Sequence, residues 1–124
     1  MSGADLIRHL NDLGGEHGVG RIDHVENRLV GIKSREIYEC PAAVILHDAH
    51  KALEAMTLSK EQARTKARIA QEYADVVYNG LWFNDLRKAV DAFFEPIQQH
   101  VSGEIRLNLY KGSCKVTGRR SPFS

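Results

Sequence analysis

A chain of 124 residues has room for about one domain, and 43% hydrophobic with 27% charged side chains excludes a disordered or fibrous protein. Seventeen basic against 16 acidic side chains leave it nearly neutral, without the basic stripe and supporting motif of a nucleic-acid binder. No apolar run approaches the roughly 20 residues that span a bilayer, and residues 1–8 lack the basic flank and apolar block of a secretory signal. The expectation is a soluble cytoplasmic domain with neither a membrane nor a nucleic acid as partner.

In chain order, Leu6, Ile7, Leu10 and Leu13 share one helical face, so residues 4–13 are predicted helical, capped by Ser2 and stopped by Gly14-Gly15. Residues 16–39 differ in character. They hold four basic and five acidic side chains, three glycines and only weak strand-like alternation. That is too polar for a core strand and too rich in Val, Ile and Leu for a linker. Extended chain through a polar site fits, with one or two strands near residues 25–32. Pro41 suits the first turn of a helix. Ala42, Ala43, Val44, Ile45, Leu46, Ala49, Ala52 and Leu53 make that helix apolar over much of its surface, hence largely buried.

Ser59-x-x-Gln62 matches a capping box and opens the longest helix, to about Tyr78. Ala63, Ala67, Ala70, Ala74 and Val77 form a narrow stripe suited to close packing, and Gly80 ends the run. Asn84 caps a fourth helix carrying Leu86, Ala89, Val90, Phe93, Phe94 and Ile97, with a kink or break expected near Glu95 because of Pro96. Ile105, Leu107 and Leu109 alternate with Arg106 and Asn108 as a half-buried strand. Lys111-Gly112-Ser113 then turns it into a partner over residues 114–118. The fold class is α+β: about four helices packed with a small, mainly antiparallel sheet that includes this C-terminal hairpin, residues 1–124 forming one domain.

Candidate chemistry is sparse. His47 and His50 lie three apart on a predicted helix, but no third ligand has recognisable spacing, so no metal is expected. Cys40 and Cys114 read as buried free thiols. Gly18-x-Gly20 lacks the strand before and the helix after that a dinucleotide loop requires, and no Gly-x-Ser-x-Gly elbow is present. Tyr73, Tyr78, Trp82, Phe83, Phe93 and Phe94, at helical spacing beside aliphatics, read as core. The five basic residues after Ile105, with no acidic ones, read as a solvated hairpin face or a contact with an anionic ligand. Glu26, Lys33, Arg35 and Tyr38 offer two readings. They suit recognition of a zwitterion, carboxylate to ammonium and cation to carboxylate. They equally suit a surface ion-pair ladder of little energetic weight.

The run Gly18-Val19-Gly20-Arg21-Ile22-Asp23, then Val25-Glu26-Asn27-Arg28, Gly31-x-Lys33-Ser34-Arg35 and Ile37-Tyr38-Glu39-x-Pro41-Ala42 resembles argininosuccinate synthase. The resemblance continues through Ala49-His50, Leu53-Glu54, Val77-Tyr78-x-Gly80-x-Trp82, Tyr110-Lys111-Gly112 and Gly118-Arg119-x-Ser121-Pro122. It implies an ATP-dependent ligase of arginine biosynthesis that joins citrulline to aspartate, releasing AMP and pyrophosphate. By the same resemblance Glu26 and Tyr38 bind citrulline, Lys33 and Arg35 play a supporting part, and the full-length enzyme uses ATP with magnesium and assembles as a homo-oligomer, a tetramer. The family's Ser-Gly-Gly-x-Asp-Ser/Thr loop for ATP has no counterpart here, since Ser2-Gly3-Ala4-Asp5 and Gly14-Gly15 both fail to match. The chain therefore reads as a fragment of the synthetase domain, binding no cofactor of its own and inactive without the ATP-binding domain. A non-catalytic assembly module on the same fold is the alternative.

Overall fold

In the computed structural model, which describes residues 1–124, Ser2 accepts the Asp5 N–H at 3.1 Å and opens α1 (Gly3–Glu16). The helix does not stop at Gly14-Gly15. It runs through both, and the first left-handed residue is Gly18, with φ 72°. Close packing accounts for Gly14, because a Cβ there would lie 2.7 Å from Pro41 Cβ and 2.9 Å from Ile45 Cδ1.

Next come β1 (Arg21–Asn27) and β2 (Lys33–Glu39), an antiparallel hairpin. The strand expected near residues 25–32 extends only to Asn27. Residues 28–32 make the turn instead, closed by Arg28 N–H to Ile32 O at 2.8 Å and Gly31 N–H to Arg28 O at 3.0 Å. At the hairpin's base the Cys40 N–H donates to Gly20 O at 2.9 Å, and α2 (Pro41–Thr57) starts on the proline as expected. Asn11 on α1 accepts the Ala42 N–H at 2.9 Å, satisfying one of the donors that a helix start leaves without a partner. Burial of α2 is narrower than its composition implies: Ala42, Ile45 and Ala52 are buried, while Leu46 stays 38% exposed. A helix that is apolar on several sides has more such surface than its packed face can cover.

The capping box of α3 (Lys60–Tyr78) is complete, with Ser59 and Gln62 exchanging hydrogen bonds of 3.2 Å. Its inward face carries Val76, Ile69 and Tyr73, whereas Ala63, Ala67, Ala74 and Val77 of the expected stripe face outward. The larger side chains bury more apolar area and so decide which face packs. Asn84 accepts the Leu86 N–H at 2.8 Å and caps α4 (Asp85–Gln98). The helix continues through Pro96 to Gln98 without the expected break. Edge-to-face contacts at 5.6 Å (Tyr73–Phe94) and 5.7 Å (Phe93–Phe94) fill the space that α3 and α4 share. Tyr78, Trp82 and Phe83 depart from the core reading, with Phe83 87% exposed.

Last, β3 (Glu104–Tyr110) and β4 (Ser113–Arg120) form the C-terminal hairpin, with Ile105, Leu107, Leu109, Cys114 and Val116 on its half-buried side. Its turn has positive φ at both Lys111 (46°) and Gly112 (85°), the geometry that matches strand twist. The class is α+β, and the sheet is two separate two-stranded antiparallel pairs. Two compact units result: Met1–Ala52 with Glu104–Arg119, and Leu53–Gly103 with Arg120–Ser124. Val19, Ala42, Ile45 and Ala52 are buried in the first, Val76, Val90 and Ile97 in the second. No helix is long and apolar enough to cross a membrane.

Candidate functional site

Side chains alternate across a strand, so the β1–β2 register settles which candidates meet. Tyr38 lies opposite Ile22, Glu36 opposite His24 and Ser34 opposite Glu26, all six on one face. Arg35 lies opposite Val25 and Lys33 opposite Asn27, on the other. The pleat therefore brings Glu26 and Tyr38 together and sets Lys33 and Arg35 behind them. Arg35 grips Asp23 with a two-pronged contact, Nε to Oδ1 at 2.8 Å and Nη2 to Oδ2 at 2.5 Å. That contact holds the Asp23 carboxyl below its ordinary range and the Arg35 guanidinium above its own.

On the first face the Tyr38 hydroxyl donates a short hydrogen bond to Glu26 Oε1. His24 Nε2 lies 3.4 Å from the same oxygen, and its ring meets Tyr38 edge-on at 5.6 Å. Arg28 reaches back from the turn to three partners. Its Nε donates to Ser34 Oγ at 2.9 Å, Nη2 pairs with Glu36 Oε1 at 2.6 Å, and Nη1 lies 3.6 Å from Glu26 Oε2. The Glu26 side chain is only 12% exposed and Arg28 is 44% exposed. Two carboxylates against one guanidinium leave the face net negative, fit to receive a cation such as an ammonium group.

Tyr38 is pushed up to about 12, first by its hydrogen bond to Glu26, then by burial and by the charges of Glu26 and Glu36. It is thus a neutral donor at physiological pH rather than a base. Folded Tyr38 holds its proton more tightly than an unfolded tyrosine, which ionises near 10. Its contribution to stability is present below that value and is lost as pH rises through about 12. Urea midpoints across this window are expected to fall in the wild-type chain and to fall less in Tyr38→Phe. Parallel declines in the two would contradict the coupling.

Arg28, Glu36 and His24 belong to this cluster although the sequence did not single them out. The available signal was parity: positions 24 and 26, and 34, 36 and 38, share a face once the turn is placed at 28–32. The remaining candidates lie apart from the cluster. His47 lines an apolar cleft of about 400 Å3 with Ile7, Cys40 and Leu46, which includes neither Glu26 nor Tyr38. No group of three or more His, Cys, Asp or Glu side chains converges to hold a metal. Cys40 and Cys114 are free and half-buried, and burial, with Asp48 nearby, pushes the Cys114 thiol up.

Residues 1–124 match the family model described as the arginosuccinate synthase C-terminal domain. The chain belongs to the argininosuccinate synthase family. Among its relatives named argininosuccinate synthase, one from Dehalococcoides mccartyi is 62% identical over 124 residues, all of this chain and 30% of the relative. One from Bacillus pumilus is 60% identical over 121 residues, covering 98% of this chain and 30% of the relative. Another, from Staphylococcus carnosus, is 56% identical over 120 residues, covering 97% and 30%. The chain thus spans about 30% of the length of these family members.

Proposed function

We propose that this chain is the C-terminal part of an argininosuccinate synthase and contributes half of its citrulline site. In that enzyme the ureido oxygen of citrulline is adenylylated by ATP with loss of pyrophosphate, and the amine of aspartate then displaces AMP. Glu26 receives the α-ammonium group of citrulline, and Tyr38 fixes the carboxylate through its hydrogen bond. Neither acts as a nucleophile or a general base. Their part is orientation and charge complementarity, which hold the ureido group where it reacts. Lys33 and Arg35 support the hairpin from its opposite face, Arg35 through Asp23.

What supports the reading is the pairing of Glu26 with Tyr38 on one net-negative face, in a chain matched to the family over its full length. ATP with magnesium and the aspartate site belong to the rest of the enzyme, so this chain alone is expected to form no AMP. Exposed Leu81, Trp82 and Phe83 favour the second reading, a non-catalytic assembly module.

One exchange separates the two. Residues 1–124 are substituted for the matching segment of the Bacillus pumilus relative, and AMP formation from ATP is followed. The expected result is turnover that requires both citrulline and aspartate. A folded but inactive chimera would favour the module.

A further inference from the structure

Arg28 is tied through its backbone and through three guanidinium nitrogens. The backbone N–H donates to Ile32 O at 2.8 Å and closes the turn. The guanidinium reaches Ser34 at 2.9 Å and Glu36 at 2.6 Å on β2, and pairs with Glu26 at 3.6 Å on β1. Packing contributes little at this end of the hairpin, because Leu29, Val30 and Ile32 are exposed and a Cβ on Gly31 would meet nothing within 4 Å. A two-stranded hairpin is marginal without such support. Glu26 is gripped at both oxygens, Oε1 by the Tyr38 hydroxyl and Oε2 by Arg28. The last torsion of a glutamate is broad, so one grip lets the carboxylate turn and two fix its plane.

We infer that Arg28 is a positioning residue: by spanning Glu26 and Glu36 it fixes the plane of the Glu26 carboxylate, and with it the line of the Tyr38 hydroxyl, for an amino-acid ligand. This deepens the citrulline reading and rests on it. The Glu26–Arg28 pair stays closed when the ligand arrives. The ammonium group is drawn by the net negative charge of the whole face, two carboxylates against one guanidinium, and needs no oxygen without a partner. Charge and positioning therefore predict opposite results for loss of the guanidinium. Removing a cation from a net-negative face strengthens its pull on an ammonium group. Removing the tie lets the carboxylate turn, and a misplaced carboxylate holds the ligand less well.

The holding role is read without ligand in this chain. The Tyr38 hydroxyl proton, shared with Glu26, is expected as a downfield proton NMR signal that Tyr38→Phe removes. Arg28→Gln is expected to shift it upfield and broaden it while the amide signals of the β1–β2 ladder persist. Arg28→Lys keeps the charge but replaces the fork by one nitrogen, so a smaller change of the same sign is expected. Should Arg28→Gln lose the ladder, Arg28→Lys decides alone. An unchanged hydroxyl signal in either folded variant, or none in the wild type, would overturn the inference.

Citrulline binding by the active chimera is the second arm. Arg28→Gln is expected to raise the Kd about tenfold, the scale of a charge-assisted hydrogen bond. A lower Kd would assign Arg28 to charge alone and overturn the positioning role. In the Glu26→Gln background the same substitution is expected to add little, because it acts through Glu26; a full tenfold loss in both backgrounds would also overturn it. Failure of the wild-type chimera to bind citrulline would count against the substrate reading, while the NMR arm still decides the role of Arg28.

Discussion

Gly20→Ala is expected to destabilise the chain by about 3 kcal/mol or more, lowering the melting temperature by roughly 10–15 °C. Two effects add. Gly20 has φ 93°, where an L side chain is strained by roughly 1–2 kcal/mol. A Cβ there would also lie 2.5 Å from both N and Cα of Pro41 and 2.8 Å from the Cys40 carbonyl carbon. These are backbone atoms, so no rotamer change relieves the overlap. The chain must move where β1 begins and α2 starts, at the point where the Cys40 N–H is held by Gly20 O. That junction sets the base of the hairpin carrying Glu26 and Tyr38. Gly31 is the control: its φ of 83° is as unusual, yet an added Cβ would meet nothing within 4 Å. Gly31→Ala should therefore lose only the strain of the left-handed backbone, about 1–2 kcal/mol. Equal losses at the two positions, by thermal circular dichroism, would contradict the role given to close approach.

Glu26→Gln is expected to raise the KM for citrulline on the order of 30–100-fold in the active chimera, with the KM values for aspartate and ATP little changed. The magnitude follows from losing a charge-assisted hydrogen bond in a largely covered recess, about 2–3 kcal/mol. Glutamine keeps an oxygen that accepts from Tyr38, so the hairpin should keep its shape. What is lost is the negative charge that balances an ammonium group. Tyr38→Phe keeps that charge and removes one neutral donor, so its effect should be smaller, roughly 3–10-fold. A larger loss in Tyr38→Phe than in Glu26→Gln would reverse the assigned roles. A rise in all three KM values together would point to a disturbed fold instead.

Much of the architecture was readable because it rests on local chemistry. Ser2, Ser59 and Asn84 cap helices through their own side-chain oxygens, Pro41 opens one, and Lys111-Gly112 turns a hairpin. Errors arose where a distant contact overrode the local preference. Gly14-Gly15 look like a stop, but Gly14 lies within the helix and is a glycine because a Cβ there would overlap Pro41 and Ile45. The alanine stripe of α3 looks like a packing face, but Ile69, Tyr73 and Val76 offer more area to bury. Pro96 looks like a break, yet α4 runs on through it and ends two residues later, at Gln98.

In the site, Glu26 and Tyr38 came from the family resemblance, and their meeting depends on register. Register depends in turn on a turn at residues 28–32 that has no strong sequence signal. With the turn placed, parity alone moves Lys33 and Arg35 to the far face and brings in Glu36 and His24, while Arg28 reaches back from the turn.

The most direct measurement is a calorimetric titration of citrulline into this chain, beside Glu26→Gln. The expected result is heat of binding from the wild type and none from the variant, both giving the same circular dichroism. Equal binding by the two would contradict the assignment of Glu26 to the ammonium group. A folded wild-type chain that takes up no citrulline would contradict the hairpin face as a half-site that forms by itself.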